Sequence, residues 1–173
     1  MPQKLDELAT RFCDAMAAVC TPVAVVTAMD GERPHGTTVS AFASLSMSPP
    51  SVLVSLDRGS DLLALALESG RFGMNVLGSG QSELAAQFAR KGPNKFQDVP
   101  WRVDGGLPRI ADVPHWIAAE VMETLDVADH TVVFGRVVDI VSETIPPLTY
   151  HGRVFGTHTA FTPMHTTAGG THR

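Results

Sequence analysis

Hydroxyl groups crowd one stretch of this chain. Thr37, Thr38, Ser40, Ser44, Ser46, Ser48, Ser51, Ser55 and Ser60 fall within 24 residues. Such side chains hydrogen-bond a polar ligand without titrating near neutral pH. They also suit the solvent face of a hairpin, where alternate strand residues point the same way. Two neighbours favour the ligand role. Val39, Phe42, Leu45 and the run Val52 to Val54 imply strands set into a core. Ser55-Leu56-Asp57-Arg58-Gly59-Ser60 then passes from a strand end into a helix start, where unpartnered N–H groups and a serine hydroxyl make an anion site.

Other chemistry is sparse. There is no G-x-S-x-G, H-E-x-x-H, Walker loop or G-x-G-x-x-G. His151, His158, His165 and His172 recur every seven residues, but the segments between them are not helical. That period therefore has no geometric meaning, and no metal site is expected. Cys13 and Cys20 have no further metal-ligand residues at the right spacing, and read as buried or idle thiols rather than a disulfide.

The elements that must position these groups follow from periodicity. Residues 3–18 carry Leu5, Leu8, Phe12 and Met16 at helical spacing, and Pro22 stops that helix. Val23 to Ala28 is β-branched and reads as a strand; Asp30-Gly31 turns it. Thr37 to Ser46 pairs back, Pro49-Pro50 breaks the ladder, and Ser51 to Leu56 is a third strand. Ser60 caps a helix over Asp61 to Ser69, with Gly70 as its left-handed terminator. Phe72 to Leu77 is a strand, and Ser82 caps a short helix through Arg90. Residues 91–114 read as a long loop. Trp116 to Val127 and Thr131 to Val141 form two long strands around a tight turn, Ala128-Asp129-His130. A last strand begins near Leu148.

Six or seven strands, hairpin-connected, with one N-terminal and two short helices, predict a mainly β fold. The expected form is an antiparallel Greek-key barrel with appended helices. Residues 1–160 are read as one domain and residues 161–173 as a flexible tail. A net charge of −5, from 18 acidic and 13 basic residues, argues against a nucleic-acid partner. The charged N-terminus lacks the apolar core of a secretion signal, and no apolar run is long enough to span a membrane. A cytoplasmic protein is expected.

Four blocks carry a family resemblance: GTTVSAFASLSMSPPSVLVSL, RFGMNVL, DHTVVFGRVV and PLTYHGRVFG. In this order and spacing they resemble the small flavin reductases, the reductase components of two-component flavin-dependent monooxygenases. The resemblance covers roughly residues 8–158. It implies a split β-barrel that binds FMN, or sometimes FAD, and a homodimer with flavin sites near the interface. It implies hydride transfer from NADH or NADPH to flavin, and release of reduced flavin to a separate oxygenase.

The resemblance also places residues. Flavin contacts fall on Thr37, Thr38, Val39, Ser40, Leu45, Ser46, Ser55, Leu56 and Asp57. Ser60 meets the phosphate, and Lys95 adds charge beside it. His130, Tyr150 and Arg153 are expected on the nicotinamide side. His130 could instead be a plain turn residue, and Tyr150 a packing one. Where the family commonly has Gly-Asp-His, this chain has Ala128-Asp129-His130. That change puts the turn geometry in question and leaves open a tightly held FMN electron carrier without nicotinamide turnover. A haem-binding relative of the barrel would need an axial histidine, for which only the tail histidines offer themselves.

Overall fold

A computed structural model of the protein describes residues 2–161. The expected frayed tail therefore lies, apart from Phe161, outside the described residues. Helix α1 spans Pro2–Ala17, followed by strands β1 (Thr21–Pro22), β2 (Ala24–Asp30), β3 (Arg33–Val39), β4 (Phe42–Met47) and β5 (Pro50–Asp57). Helix α2 (Asp61–Ser69) leads into β6 (Arg71–Val76), and α3 (Ser82–Ala89) into β7 (Trp101–Asp104) and β8 (Leu107–Ile110). The long pair β9 (His115–Val127) and β10 (His130–Ser142) precedes β11 (Leu148–His151) and β12 (Val154–Thr157).

Seven strands form one antiparallel sheet in the order β3-β2-β6-β9-β10-β5-β4. Its two edge strands, β3 and β4, are joined by only Ser40 and Ala41. A sheet whose edges are two residues apart must curl back on itself. The Ser55 N–H donates to the Ala41 carbonyl at 2.9 Å and holds that seam. β5 and β6 are consecutive but for α2, yet β9 and β10 lie between them, as Greek-key ordering requires. The expected mainly β fold is borne out.

One core lies within the curl and is plugged by α2: Val26, Val54, Phe72, Met74 and Val133 pack with Leu62, Leu63 and Ala66. The other lies outside it, where Val25, Leu77 and Trp116 pack against Ala85 and Phe88 of α3 and Leu107 and Ile110 of β8. With both faces of β2 covered, Ala24 to Ala28 are all buried. That explains why the run is apolar on both faces apart from Thr27, whose hydroxyl is satisfied by the Pro108 carbonyl. Gly135 lies under Phe72, and a Cβ there would stand 2.6 Å from the ring.

Several expectations need correction. Thr37 to Ser46 is not one strand; it breaks at Ser40-Ala41, because the chain crosses there from one sheet edge to the other. Pro50 does not end pairing but opens β5 opposite Met47, a first position where no donor is required. Residues 91–114 are not all loop. They hold the β7–β8 hairpin, turned by Gly105 and Gly106 at φ 54° and 82°, a geometry that favours glycine. Ser82 is not a cap. Gln81 occupies that position without capping, and its side chain instead accepts from the Gly78 N–H at 2.8 Å. Cys13 and Cys20 are free and exposed, not buried. The last strand is a hairpin, β11 with β12, and β1 adds to its edge. These strands of two to four residues are too short for periodicity to show. No described helix is long and apolar enough to cross a membrane.

Candidate functional site

The seam between β3 and β4 opens a cleft of about 290 Å³. Thr37, Thr38 and Val39 line it from the end of β3, Ser40 and Ala41 from the link, and Ser55, Leu56 and Asp57 from the end of β5. Ser60 and His130 complete it. Register brings them together: Asp57 pairs with His130 on β10, and the seam bond sets Ala41 beside Ser55. Of the ten expected flavin contacts and phosphate ligands on residues 37–60, eight line this cleft: Thr37, Thr38, Val39, Ser40, Ser55, Leu56, Asp57 and Ser60.

A second cleft of about 500 Å³ shares Thr37, Asp57 and Ser60 with the first. Its lining carries a net positive charge, in a protein of net charge −5. Arg33, His35, Arg90, Lys91 and Lys95 line it against the carboxylates of Asp57 and Asp61. Lys95 Nζ is 3.5 Å from the Thr37 hydroxyl, and its backbone carbonyl accepts from Gln87 Nε2 at 2.9 Å. Burial lowers the Lys95 pKa, which the Asp61 carboxylate partly offsets. Burial, and then the nearby Lys95, lower the His35 pKa below its ordinary value. Arg33 pairs with Asp30, whereas Arg90, Lys91 and Lys95 make no ion pair among the described residues. Unpaired cations around a cleft favour an anionic ligand.

Four of these basic residues, Arg33, His35, Arg90 and Lys91, escape a reading of the sequence. The signal is the basic run from Arg90 to Lys95, which looks like an ordinary loop until α3 delivers it to β3. The expected backbone donors need revision too. The Arg58, Gly59 and Ser60 N–H groups bond the Asp129 carbonyl, the Asp57 carboxylate and the Asp57 carbonyl, at 3.0, 2.7 and 3.0 Å. The Ser60 hydroxyl accepts from the Leu63 N–H at 3.1 Å as a helix cap. Its own proton remains free to donate. Cationic side chains, more than the strand-to-helix N–H groups, thus make this an anion site.

A neutral His35 would have a proton to gain from a doubly charged phosphate bound in this cleft. Folded His35 has a lowered pKa, so near neutral pH the free protein holds it mostly uncharged; a bound phosphate raises that pKa. Binding of a phosphate ligand there is therefore expected to take up protons, and affinity to rise as pH falls through the bound-state pKa. Calorimetry in buffers of different ionisation enthalpy reads the uptake. An uptake unchanged in His35→Gln would remove His35 from the phosphate.

Leu45 and Ser46 do not reach the cleft. They lie toward the far end of β4, where Ser46 pairs with Ser51 and its hydroxyl accepts from the Ser48 N–H at 3.1 Å. Tyr150 and Arg153 also lie elsewhere. Tyr150 pairs with Thr21 and packs its ring 5.2 Å from Phe155, while Arg153 bonds Asp14 of α1 at 2.7 Å. His130 sits on the rim with Nδ1 2.8 Å from Asp129 Oδ1, a contact that lowers the Asp129 pKa. Ala128 takes φ 53° without the glycine. Left-handed backbone costs a non-glycine residue about 1–2 kcal/mol. Arg58 braces the turn by donating to the Ala128 carbonyl at 3.4 Å and facing Asp126 at 3.5 Å. The turn thus keeps its left-handed geometry despite the substitution. Among the described residues, no three His, Cys, Asp or Glu side chains are grouped to hold a metal ion.

A curled antiparallel sheet, with a hydroxyl-lined cleft opening onto a cationic one, defines a mainly β protein whose joined clefts suit a polar, anionic ligand. Residues 16–159 match the flavin reductase like domain, and the chain belongs to that family. It is 42% identical over 132 residues to the NADH flavin reductase of Kitasatospora aureofaciens, covering 73% of this chain and 69% of that one. An NADH-dependent flavin reductase of Pseudomonas fluorescens is 36% identical over 129 residues, or 74% and 75% of the two chains. Among solved structures, the styrene monooxygenase flavin reductase of Pseudomonas putida S12 superposes with a TM-score of 0.80 at 31% identity. That match covers 87% of this chain and 99% of the other.

Proposed function

We propose that this protein is an NAD(P)H:flavin oxidoreductase that supplies reduced flavin to a separate monooxygenase component. The observation that carries the reading is the joined pair of clefts, one lined with hydroxyls and one with unpaired cations, in a chain of this family. The donor set fits a phosphorylated flavin: neutral hydroxyls for the ring and ribityl chain, then positive charge for the phosphate.

When bound, the flavin supplies the hydride acceptor, and its chemistry needs no triad or carboxylate pair from the protein. In this reading Thr37, Thr38, Val39, Ser40, Ser55, Leu56 and Asp57 orient the ring and ribityl chain. Ser60, Lys95 and His35 hold the phosphate. His130, steadied by Asp129, positions the nicotinamide at the rim. Alignment of donor and acceptor is itself a large part of the rate enhancement in such a transfer. The Ser60 proton and the Thr37, Ser40 and Ser55 hydroxyls are neutral donors, which suits a flavin that must leave; the Thr38 hydroxyl already donates to the Ala85 carbonyl at 2.7 Å.

Residues 1–160 act as one domain in this reading. Homodimerisation accounts for apolar residues that a single chain leaves uncovered, including Leu45, Met47, Met122 and Leu125. Leu45 and Ser46, and Tyr150 and Arg153, then reach the flavin or the nicotinamide only in the assembled dimer. NADH or NADPH as reductant is in keeping with a cytoplasmic setting. The electron-carrier alternative rested on Ala128; since the turn keeps its left-handed geometry, nothing now favours it over turnover.

Purified protein is expected to oxidise NADH or NADPH only when flavin is added, followed as loss of absorbance at the nicotinamide band. Flavin-independent oxidation, or none with either nicotinamide, would overturn the reading.

A further inference from the structure

Lys95 sits in the connection between α3 and β7, residues 90–100, which has no helix or strand of its own to hold it. Two side chains of α3 hold it instead. The Phe88 ring meets Phe96 edge-on, with centroids 4.8 Å apart, and Trp101 lies 5.5 Å from Phe96. One residue earlier in the helix, the half-buried Gln87 turns its amide onto the loop. Its Nε2 donates to the Lys95 carbonyl and to the Gln97 carbonyl, both at 2.9 Å. A primary amide nitrogen carries two protons, and both are spent here on the carbonyls that flank Phe96. Phe96 anchors the loop and Gln87 orients it, so that Lys95 Nζ stands 3.5 Å from the Thr37 hydroxyl. The same turn of α3 is tied to the other cleft, where the Thr38 hydroxyl donates to the Ala85 carbonyl at 2.7 Å. Arg90 and Lys91 belong to the same connection but are exposed, so Lys95 is the cation whose place the clamp sets.

We propose that Gln87 is a positioning residue for the flavin phosphate: it acts through Lys95, by holding that residue's backbone where the ammonium reaches the cleft, and so sets the preference for phosphorylated flavin over riboflavin. A lysine carries a compact charge on a flexible four-carbon stem, so its side chain specifies little by itself. Where its backbone is held decides which groups the ammonium can reach. Gln87 lies outside the four sequence blocks that carry the family resemblance. The inference rests on the flavin reading above, which puts a phosphate beside Lys95.

Gln87→Met keeps the length of the side chain and removes the amide. Calorimetric titration with FMN and with riboflavin, of the full chain, Gln87→Met, Lys95→Met and the double variant, tests the proposal. Gln87→Met is expected to weaken FMN about fivefold and to leave riboflavin within about twofold. In the Lys95→Met background the same change is expected to weaken FMN by no more than about twofold, because the ammonium it positions is gone. The salt dependence of FMN binding in Gln87→Met should also flatten toward that of Lys95→Met. Unchanged riboflavin binding shows that the variant is folded and its ring site intact. Equal weakening of FMN and riboflavin would overturn the proposal, since Gln87 would then only support the cleft. So would no weakening of either, or an FMN loss of the same size without Lys95. If the unaltered protein binds neither FMN nor riboflavin, the flavin reading itself fails, and the role of Gln87 falls with it.

Discussion

Asn75→Ala is expected to destabilise the protein by about 3 kcal/mol and to lower its melting temperature by roughly 6–12 °C. Asn75 is fully buried in the middle of the sheet. Its Oδ1 accepts from the Ile110 N–H at 2.8 Å. Its Nδ2 reaches the Val25 carbonyl and the Thr27 hydroxyl at 3.3 Å and the Pro108 carbonyl at 3.4 Å. The Thr27 hydroxyl in turn donates to the Pro108 carbonyl at 2.8 Å. This small network pins the β7–β8 hairpin over the outer core. Alanine leaves the Ile110 N–H without a partner among Leu107, Ile110 and Trp116, all buried. An orphaned buried donor costs about 1–3 kcal/mol, and the space left by the amide adds to it. Asn75→Asp keeps the acceptor for Ile110 but turns a carboxylate oxygen toward two carbonyls, so it is expected to be no better. A melting temperature within about 2 °C of the unaltered protein would show that the network is dispensable.

Lys95→Glu is expected to weaken FMN by about a hundredfold, or about 2.7 kcal/mol, and riboflavin by no more than about twofold. The half-buried ammonium beside Thr37 is replaced by a carboxylate facing the same cleft. A doubly charged phosphate there exchanges attraction for repulsion, while riboflavin, lacking the phosphate, feels neither. Ser60→Asp asks the same question without disturbing α2. Aspartate is as good a helix cap as serine, so the bond from the Leu63 N–H is retained and only charge is added. A loss of about tenfold for FMN is expected there, because the added charge stands among several cations. High salt should shrink both effects, as screening demands. Equal weakening of FMN and riboflavin by either variant would remove that residue from the phosphate site.

Much of this site is legible along the chain because it is local. Thr37 to Ser40 and Ser55 to Ser60 are short runs whose residue types already describe a strand end, a turn and a capped helix start. The Ser60 cap and the Gly70 terminator at φ 67° are read from single residues, since capping depends on groups within one turn. The β7–β8 hairpin was there to be read as well, in Gly105-Gly106 between Val103 and Leu107, and was hidden by the surrounding prolines.

The rest is decided by where distant segments meet. Nothing in the sequence says that Arg90 to Lys95 will face Arg33 and His35, because that depends on α3 packing Phe88 and Ala85 against β2 and β3. Nor does it say that Tyr150 and Arg153 stand apart from His130; that follows from β11 pairing with β1. Residue type and spacing therefore determined the longer elements, the hydroxyl-rich half of the cleft and the family. Tertiary structure alone decided the charge of the other half. Backbone preference acts over a few residues, whereas an electrostatic field sums over every charged group the fold brings near, whatever its place in the chain.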